Sequence, residues 1–379
     1  MCPVIRVDKA LEDMLIAGLR DKIRKIKSSN PGSVKPVVSL KITNECNLRC
    51  LHCSSDSGLP LRNELSLEEI QGLIDDLAKI GVRRVTLSGG EPTIRKDFWE
   101  ILQYLSDKDI QVSLFTNGFF LNRRFVDRLS SFSVSGVRIS IDGGLARTHD
   151  GIRGFEGSFS RAVEAVKLCR EAGLMVLIVS VIMKSNFHEI ERIIQLAERN
   201  HVPAYFRRFH PVGRGLRNIH LMPSREELKA ATSIIESYYG EELTREMINY
   251  LKLVGGWCYI GNRLCIEPDG KVVLCPSLPY VMGNVRESSI SEVWNRIKNS
   301  EVCAVIRERR ITGKCGSCPH IGVCGGGCRA DAYGLTGDIL SEDPLCWNPP
   351  TESTLPILNA IIMASAAFYE SAYMDLRKR

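Results

Sequence analysis

The chain lacks any apolar run approaching the ~20 residues that cross a bilayer, and it does not open with the basic-then-apolar pattern of an export signal. No transmembrane segment is expected, and the expected compartment is the cytoplasm. Strong charge of either sign is also missing. Its 50 basic and 44 acidic residues leave a formal charge of +6 spread along the chain, which gives no reason to expect a nucleic-acid partner. The basic run from Arg20 to Lys27 reads as the solvated face of a helix. Without export, disulfides have no oxidising compartment to form in, so the 14 cysteines argue for metal binding. Closed zinc sites are poorly supported too. His52 sits between two cysteines, badly placed to complete a tetrahedron, and the Cys315-x2-Cys318 knuckle has no second such pair in its half of the chain.

What is present is an ordinary globular composition, 25% charged and 44% hydrophobic, over 379 residues, enough for a full core and more than one domain. The chain is organised around Cys46-Asn-Leu-Arg-Cys50-Leu-His-Cys53, directly after the apolar stretch Val37–Ile42. Three closely spaced thiols on a loop beyond a strand can face a single point. Thiolates are the usual ligands of iron–sulfur clusters, and a four-iron cluster normally takes four. Three leave one iron open to a small molecule, which is the condition for a catalytic cluster.

This C-x3-C-x2-C run resembles the signature of the radical S-adenosylmethionine (radical SAM) superfamily, and the resemblance extends over roughly residues 36–347. It implies that the methionine moiety of SAM chelates the open iron of a [4Fe–4S] cluster held by Cys46, Cys50 and Cys53. Reductive cleavage then gives a 5′-deoxyadenosyl radical that abstracts hydrogen from a substrate. An electron donor such as ferredoxin or flavodoxin is implied as well.

The chain in order supports an α/β class. Residues 1–35 form a helical appendage: Leu11, Met14, Leu15, Leu19, Ile23 and Ile26 recur at helical spacing until Ser28-Ser-Asn-Pro-Gly32 stops them. The segment is too short for an independent peptide-binding domain and should pack against the main domain. Over residues 36–240 strands alternate with helical patterns. The strands are Val37–Ile42, Arg84–Ser88, Val112–Thr116, Val137–Ile141, Met175–Ile182 and Ala204–Phe209. Such alternation predicts a parallel sheet with right-handed crossovers. Six units make a six-stranded partial (β/α)6 barrel of TIM type, with ligands gathered at the carboxyl ends of its strands. Ser66-Leu-Glu-Glu69 is a capping box that opens the first helix of this series.

That edge carries the expected cofactor contacts. Gly89, Gly90 and Glu91 follow strand two and resemble the motif that binds the amino group of SAM. Glycines permit close backbone approach, and a carboxylate can accept from an ammonium. Asn117 follows strand three. By resemblance, Ser140 and Asp142 would meet the ribose or the methionine carboxylate, and Val181, Met183 and Asn186 would face the adenine. After strand six, Arg207, Arg208, Arg214 and Arg217 stand within eleven residues, and forked donors suit carboxylates. Arg214, held between two glycines, is the preferred substrate contact, with Arg207 beside it. His210 reads as structural.

Residues 241–347 hold the second constellation: Cys258-x11-Gly270-x4-Cys275, then Cys315-x2-Cys318-x5-Cys324-x3-Cys328, then Cys346, with Cys265 as an eighth thiol. This is similar to the SPASM domain of radical SAM maturases. By analogy Cys258, Cys265, Cys275 and Cys328 would hold a proximal auxiliary [4Fe–4S] cluster. Cys315, Cys318, Cys324 and Cys346 would hold a distal one, giving three clusters in all. Cys2, Cys169 and Cys303 are left as incidental thiols. Ile266 to Cys275 reads as a hairpin turning at Pro-Asp-Gly. Residues 348–379 end in an alanine-rich helical pattern expected to cover a seam. Pro211-Val-Gly-Arg-Gly215 resembles mycofactocin-type peptide maturases. Arg329 to Asp338 also resembles enzymes that trim haem-precursor side chains. The expected activity is therefore oxidative modification of a peptide, which would call for a separate peptide-recognition protein. Action on a tetrapyrrole or other small cofactor precursor is the alternative. Pro276 after Cys275 stands where sulfatase-maturing relatives carry an aspartate base.

Overall fold

Strand Val37–Lys41 (β1) sits at the centre of a nine-stranded sheet of order β6-β5-β4-β3-β2-β1-β7-β8-β9 in the computed structural model, which describes residues 9–28, 35–254, 258 and 260–346. Cys2 and the expected helix of residues 348–379 lie outside the described residues. The parallel strands β2 (Arg84–Ser88), β3 (Gln111–Thr116), β4 (Val134–Ser140), β5 (Val176–Ile182) and β6 (Ala204–Arg208) follow in turn. They are the six expected strands, with ends shifted by up to three residues. Helices α2 (Leu67–Lys79), α3 (Phe98–Asp107), α4 (Arg123–Leu129), α5 (Ala146–Arg153), α6 (Ser158–Glu171) and α7 (Ile190–Arg199) connect them, and a single turn, α8 (Arg214–Arg217), follows β6. The capping box on α2 is present, with Ser66 and Glu69 bonded reciprocally.

Strands β1 to β4 alternate, whereas β5 is apolar on both faces. Val38, Leu40, Val85, Leu87, Leu114 and Ile139 face outward and are buried under the helices. The inward positions of β1 and β2 are largely polar, and the parallel register sets Ser39 beside Thr86 and Ser113, and Lys41 beside Ser88. Parallel strands covered on both faces usually read as unbroken apolar runs. A polar inner face therefore marks a lumen that is not packed shut.

The sheet goes beyond six strands. β7 (Arg263–Ile266) joins β1 in parallel, and β8 (Lys271–Cys275) and β9 (Leu278–Asn284) continue it antiparallel. The hairpin expected between Ile266 and Cys275 is there, but it belongs to the barrel's own sheet. The boundary placed between residues 240 and 241 falls inside a helical stretch, α9 (Arg225–Val254), that breaks at Gly240 with φ +75°. Helix α1 (Lys9–Ser28) lies against α9, with Ile16 and Leu19 buried and Arg20 paired to Glu242 and Glu246. Among the described residues no helix is long and apolar enough to cross a membrane.

The carboxyl-terminal region folds onto the barrel mouth through short helices: α10 (Ile290–Asn299), α11 (Glu301–Arg307), α12 (Ile321–Cys324) and α13 (Arg329–Thr336). A fully buried charge network fixes it there. Arg208 of β6 reaches Asp343 at 2.7 and 2.9 Å and Asp331 at 2.9 Å. Asp343 in turn accepts the backbone N–H groups of Cys328 and Leu345. Removing the cation from such a network strands two buried carboxylates. Arg208→Met should therefore lower unfolding free energy by about 3–5 kcal/mol, read by urea titration of the iron-loaded protein. A change below about 1 kcal/mol would show that the network does not hold the two regions together.

Candidate active site

One cavity of about 870 Å³ occupies the barrel lumen. Its wall includes Cys46, Cys50 and Cys53, on the loop after the carboxyl end of β1, and also Cys328; Cys258 and Cys275 stand toward the amino end of β1, where the register sets Cys275 level with Arg263. Toward the amino ends it continues to Arg84, Gln111 and Arg263. Both cysteine constellations thus border the same space.

The cysteine loop has little regular structure of its own and is held by its neighbours. Each of the three sulfurs meets an N–H donor: Leu48 N at 3.4 Å from Cys46, Ser57 N at 3.3 Å from Cys53, and Arg153 at 3.7 Å from Cys50. Burial pushes the Cys46 thiol up to about 12 and raises Cys50 as well. Thiols so buried ionise only against a strong positive charge. A sulfur triad already supplied with N–H donors therefore fits the cysteine ligands of an iron–sulfur cluster. Arg153 is positioned by Asp142, whose carboxylate takes its guanidinium at 2.6 Å, His52 at 3.3 Å and Val181 N–H at 2.8 Å. Burial pushes the Asp142 carboxyl up, but Arg153, His52, the Val181 N–H and His149 together more than offset this and hold it below its usual value. Burial also drives His52 down to about 4, so that ring is neutral at pH 7.

Several of the expected cofactor residues make contacts within the protein. Gly89, Gly90, Asn117, Ser140 and Val181 do border the cavity. Glu91 does not. Its carboxylate is fully buried and accepts from Asn117 N–H at 2.7 Å, Thr116 Oγ1 at 2.8 Å, and Thr93 Oγ1 at 2.6 Å. Burial raises its carboxyl above the usual range. It welds the loops after β2 and β3 together. Asp142 is consumed by Arg153 and His52, and Asn186 by the backbone of Asp142, Val181 and Met183. Met183 packs with Phe209 and Ile152 in a small core. The glycine pair also has another use. Gly90 N–H donates to Thr43 O at 2.7 Å, and a Cβ there would collide with Glu45 O. Close approach is required, but to the cysteine loop's own backbone.

The arginine segment is tied to the protein in the same way. Arg214 does not offer its fork to the lumen: it donates to Cys50 O at 3.0 Å and Ser57 O at 2.6 Å and pairs with Asp56. Gly213, at φ +58°, brings this segment against the carbonyls of Cys53 and Ser54. Arg217 also goes to Asp56, and Arg208 is locked in the buried network. Arg207 alone lines the cavity with no acceptor among the described residues. His210 borders the cavity too, with Nδ1 2.6 Å from Asp331 and 3.8 Å from Cys328 Sγ.

Among the carboxyl-terminal cysteines, Cys258 and Cys265 lie near enough to Cys275 for their charges to interact, as do Cys315 and Cys324 with Cys346. Cys169 and Cys303 are fully buried in the apolar core. Sequence reasoning missed Arg153, Lys41 and the wall arginines. Lys41 spans the two constellations, with Nζ 2.8 Å from Ser55 Oγ on the cysteine loop and 2.8 Å from Glu267 beyond β7. The available signal was the period-two polar pattern inside apolar strands.

Comparison with known proteins agrees with this arrangement. The family described as the radical SAM superfamily matches residues 40–197, and an iron–sulfur cluster-binding domain, SPASM, matches residues 258–319. An AdoMet-dependent heme synthase from Methanosarcina barkeri is 34% identical, over 82% of this chain and 95% of its own. The chain belongs to the radical SAM superfamily. It is a radical SAM enzyme with a SPASM domain. A mycofactocin maturase from Mycobacterium ulcerans is 32% identical, over 85% of this chain and 91% of its own. The solved structure of native anSMEcpe with bound AdoMet superposes with a TM-score of 0.65 at 17% identity. It covers 89% of this chain and 98% of that one and shows a shared fold.

In this enzyme Glu91 should act through the loops it joins. Glu91→Gln replaces an acceptor oxygen by an amide that meets donors, a mismatch of about 1–3 kcal/mol. Displacing Asn117 in this way should weaken SAM binding, measured by equilibrium dialysis of the iron-loaded variant. Unchanged affinity would show that the weld does not shape the pocket.

Proposed function

We propose that this enzyme is a radical SAM maturase that oxidises a carboxylate-bearing substrate held between its two cysteine walls. The single observation that supports this is the shared cavity: Cys46, Cys50 and Cys53 border the same space as Cys258, Cys275 and Cys328. When bound, a four-iron cluster on the first triad supplies the electron that splits SAM and so initiates hydrogen abstraction. The chain's own residues do the rest. Arg153 and Arg214 fix the triad's loop, the Gly89–Gly90 backbone sets the pocket floor, and Arg207 offers a free fork to a carboxylate. An auxiliary cluster held by the second set of cysteines would accept the electron left on the substrate, and this makes an oxidation the natural outcome. Cys258, Cys265, Cys275 and Cys328 would hold one auxiliary [4Fe–4S] cluster, and Cys315, Cys318, Cys324 and Cys346 another. A ferredoxin or flavodoxin would deliver the initiating electron.

Two substrate classes come from the relatives. The mycofactocin maturase points to a peptide, which would call for a separate recognition protein. The heme synthase points to a small cofactor precursor. The lumen favours the second, because its walls carry lysine and arginine and no aspartate or glutamate. Anaerobically reconstituted protein should bind about twelve irons, three clusters of four. Cys258→Ala with Cys275→Ala should remove about four of them and stop substrate oxidation while SAM cleavage continues. Wild-type protein that saturates near four irons would overturn the three-cluster reading.

A further inference from the structure

We propose that Asp331 tunes the auxiliary cluster on Cys328: its buried carboxylate, held by His210 and Arg208, keeps that cluster's reduction potential low. The inference rests on reading Cys328 as a cluster ligand, and it deepens that reading. Cys328 stands apart by its surroundings. The charges that act most strongly on its sulfur are Asp331, Arg208 and Asp343, whereas Cys258, Cys265, Cys315 and Cys324 each lie near another cysteine. Its Sγ, a ring nitrogen of His210 and a carboxylate oxygen of Asp331 all lie within 4.8 Å of one another, and all three residues are buried. Three such groups could also surround a divalent cation. Arg208 speaks against that use, because its guanidinium lies 2.9 Å from Asp331 Oδ2 and would repel the ion.

The charge count gives the sign of the effect. Asp331 and Asp343 set two buried carboxylates against the one guanidinium of Arg208. Asp331 Oδ2 faces that guanidinium without a hydrogen bond, so its charge is only partly neutralised. Oδ1 lies 2.6 Å from His210 Nδ1, which stops the carboxylate from turning away from the sulfur. Burial raises the Cys328 thiol, and Asp331 raises it further. The field that opposes a thiolate there also opposes an electron added to a cluster on the same sulfur, and net charge is one of the terms that set a cluster's potential. A cluster so tuned accepts an electron only from a strongly reducing donor. The radical left on the substrate is such a donor, losing one electron as the cluster gains one. Asp331 is selective: Asp343 is also among the main charges on Cys315 and Cys324 of the distal set, and Asp331 is not.

A redox titration of iron-loaded protein, followed by electron paramagnetic resonance without SAM or substrate, tests the proposal. Cys46→Ala, Cys50→Ala and Cys53→Ala together give a parent that shows the auxiliary signals alone. At a fixed solution potential, Asp331→Asn should raise the reduced-to-oxidised ratio of one auxiliary cluster about tenfold and leave the other unchanged. Asp331→Glu keeps the charge and should restore the parent ratio. If Asp331→Asn loses iron, Asp343→Asn decides, and it should raise the ratio of both clusters. An unchanged or lowered ratio in the neutral variant, or the same shift in Asp331→Glu as in Asp331→Asn, would overturn the inference. So would loss of iron by both neutral variants, since the carboxylates would then hold the fold and not the potential. Cys328→Ala should cost about four irons. If it keeps them, the ligand reading itself is wrong, and iron counting shows this without any potential.

Discussion

Three sulfurs that must face one point impose a constraint the loop carrying them cannot meet alone. Nearly every polar group of residues 43–58 is therefore tied to a different neighbour. Cys46 N–H donates to Gly58 O, Arg49 and Leu51 N–H to the carbonyls of Arg153 and Ile152, and Thr43 and Glu45 carbonyls accept from Gly90 and Glu91. Arg214 adds its backbone N–H to Cys53 O and its fork to Cys50 O and Ser57 O. These partners come from the loop after β2, from α5 and from the segment after β6. Order in the cysteine loop thus requires the whole carboxyl edge of the barrel, and the sequence segments around that edge are shaped by the loop as much as by any ligand.

Buried charge is divided in the same spirit. Arg153 with Asp142, and Arg208 with Asp331 and Asp343, are paired inside the protein. Such pairs contribute little net stability against an apolar replacement but fix position strictly, because a broken pair leaves a charge with nowhere to go. Each sits next to a thiol: Arg153 against Cys50, and the Asp331–His210 pair against Cys328. Positioning of sulfur is the common effect.

Much of the fold was legible because it is written locally. The βα order, the Ser66 capping box and the cysteine spacings depend on neighbours in sequence, and the six strands fall within three residues of their expected ends. Helix α5 was not legible. Its buried positions include His149 and Arg153, so no apolar stripe marks it. The protein contacts of Glu91, Asp142, Asn186 and Arg214 were not legible for a related reason. A polar side chain at the end of a strand can turn to a ligand or to the next loop. Which one it does depends on donors more than ten residues away, such as Thr116 for Glu91 and His52 for Asp142. Glycines next to such residues gave the same double reading: Gly90 and Gly213 do permit close approach, though to another stretch of backbone.

The extension of the sheet by β7 was also hidden, since a four-residue strand carries little signal and its pairing is tertiary. Yet that pairing sets the chemistry. β7 lies in register with β1, Cys265 opposite Ser39, and both point to the inner side of the sheet. A slip of one residue would turn Cys265 outward and bring Ile266 in its place. Lys41 guards against that slip, because its ammonium joins Ser55 of the cysteine loop to Glu267 just past β7. The register of two short strands thus fixes how the second set of thiols stands relative to the first. The spacing between the two sets of thiols is then a property of the sheet, not of either cysteine motif.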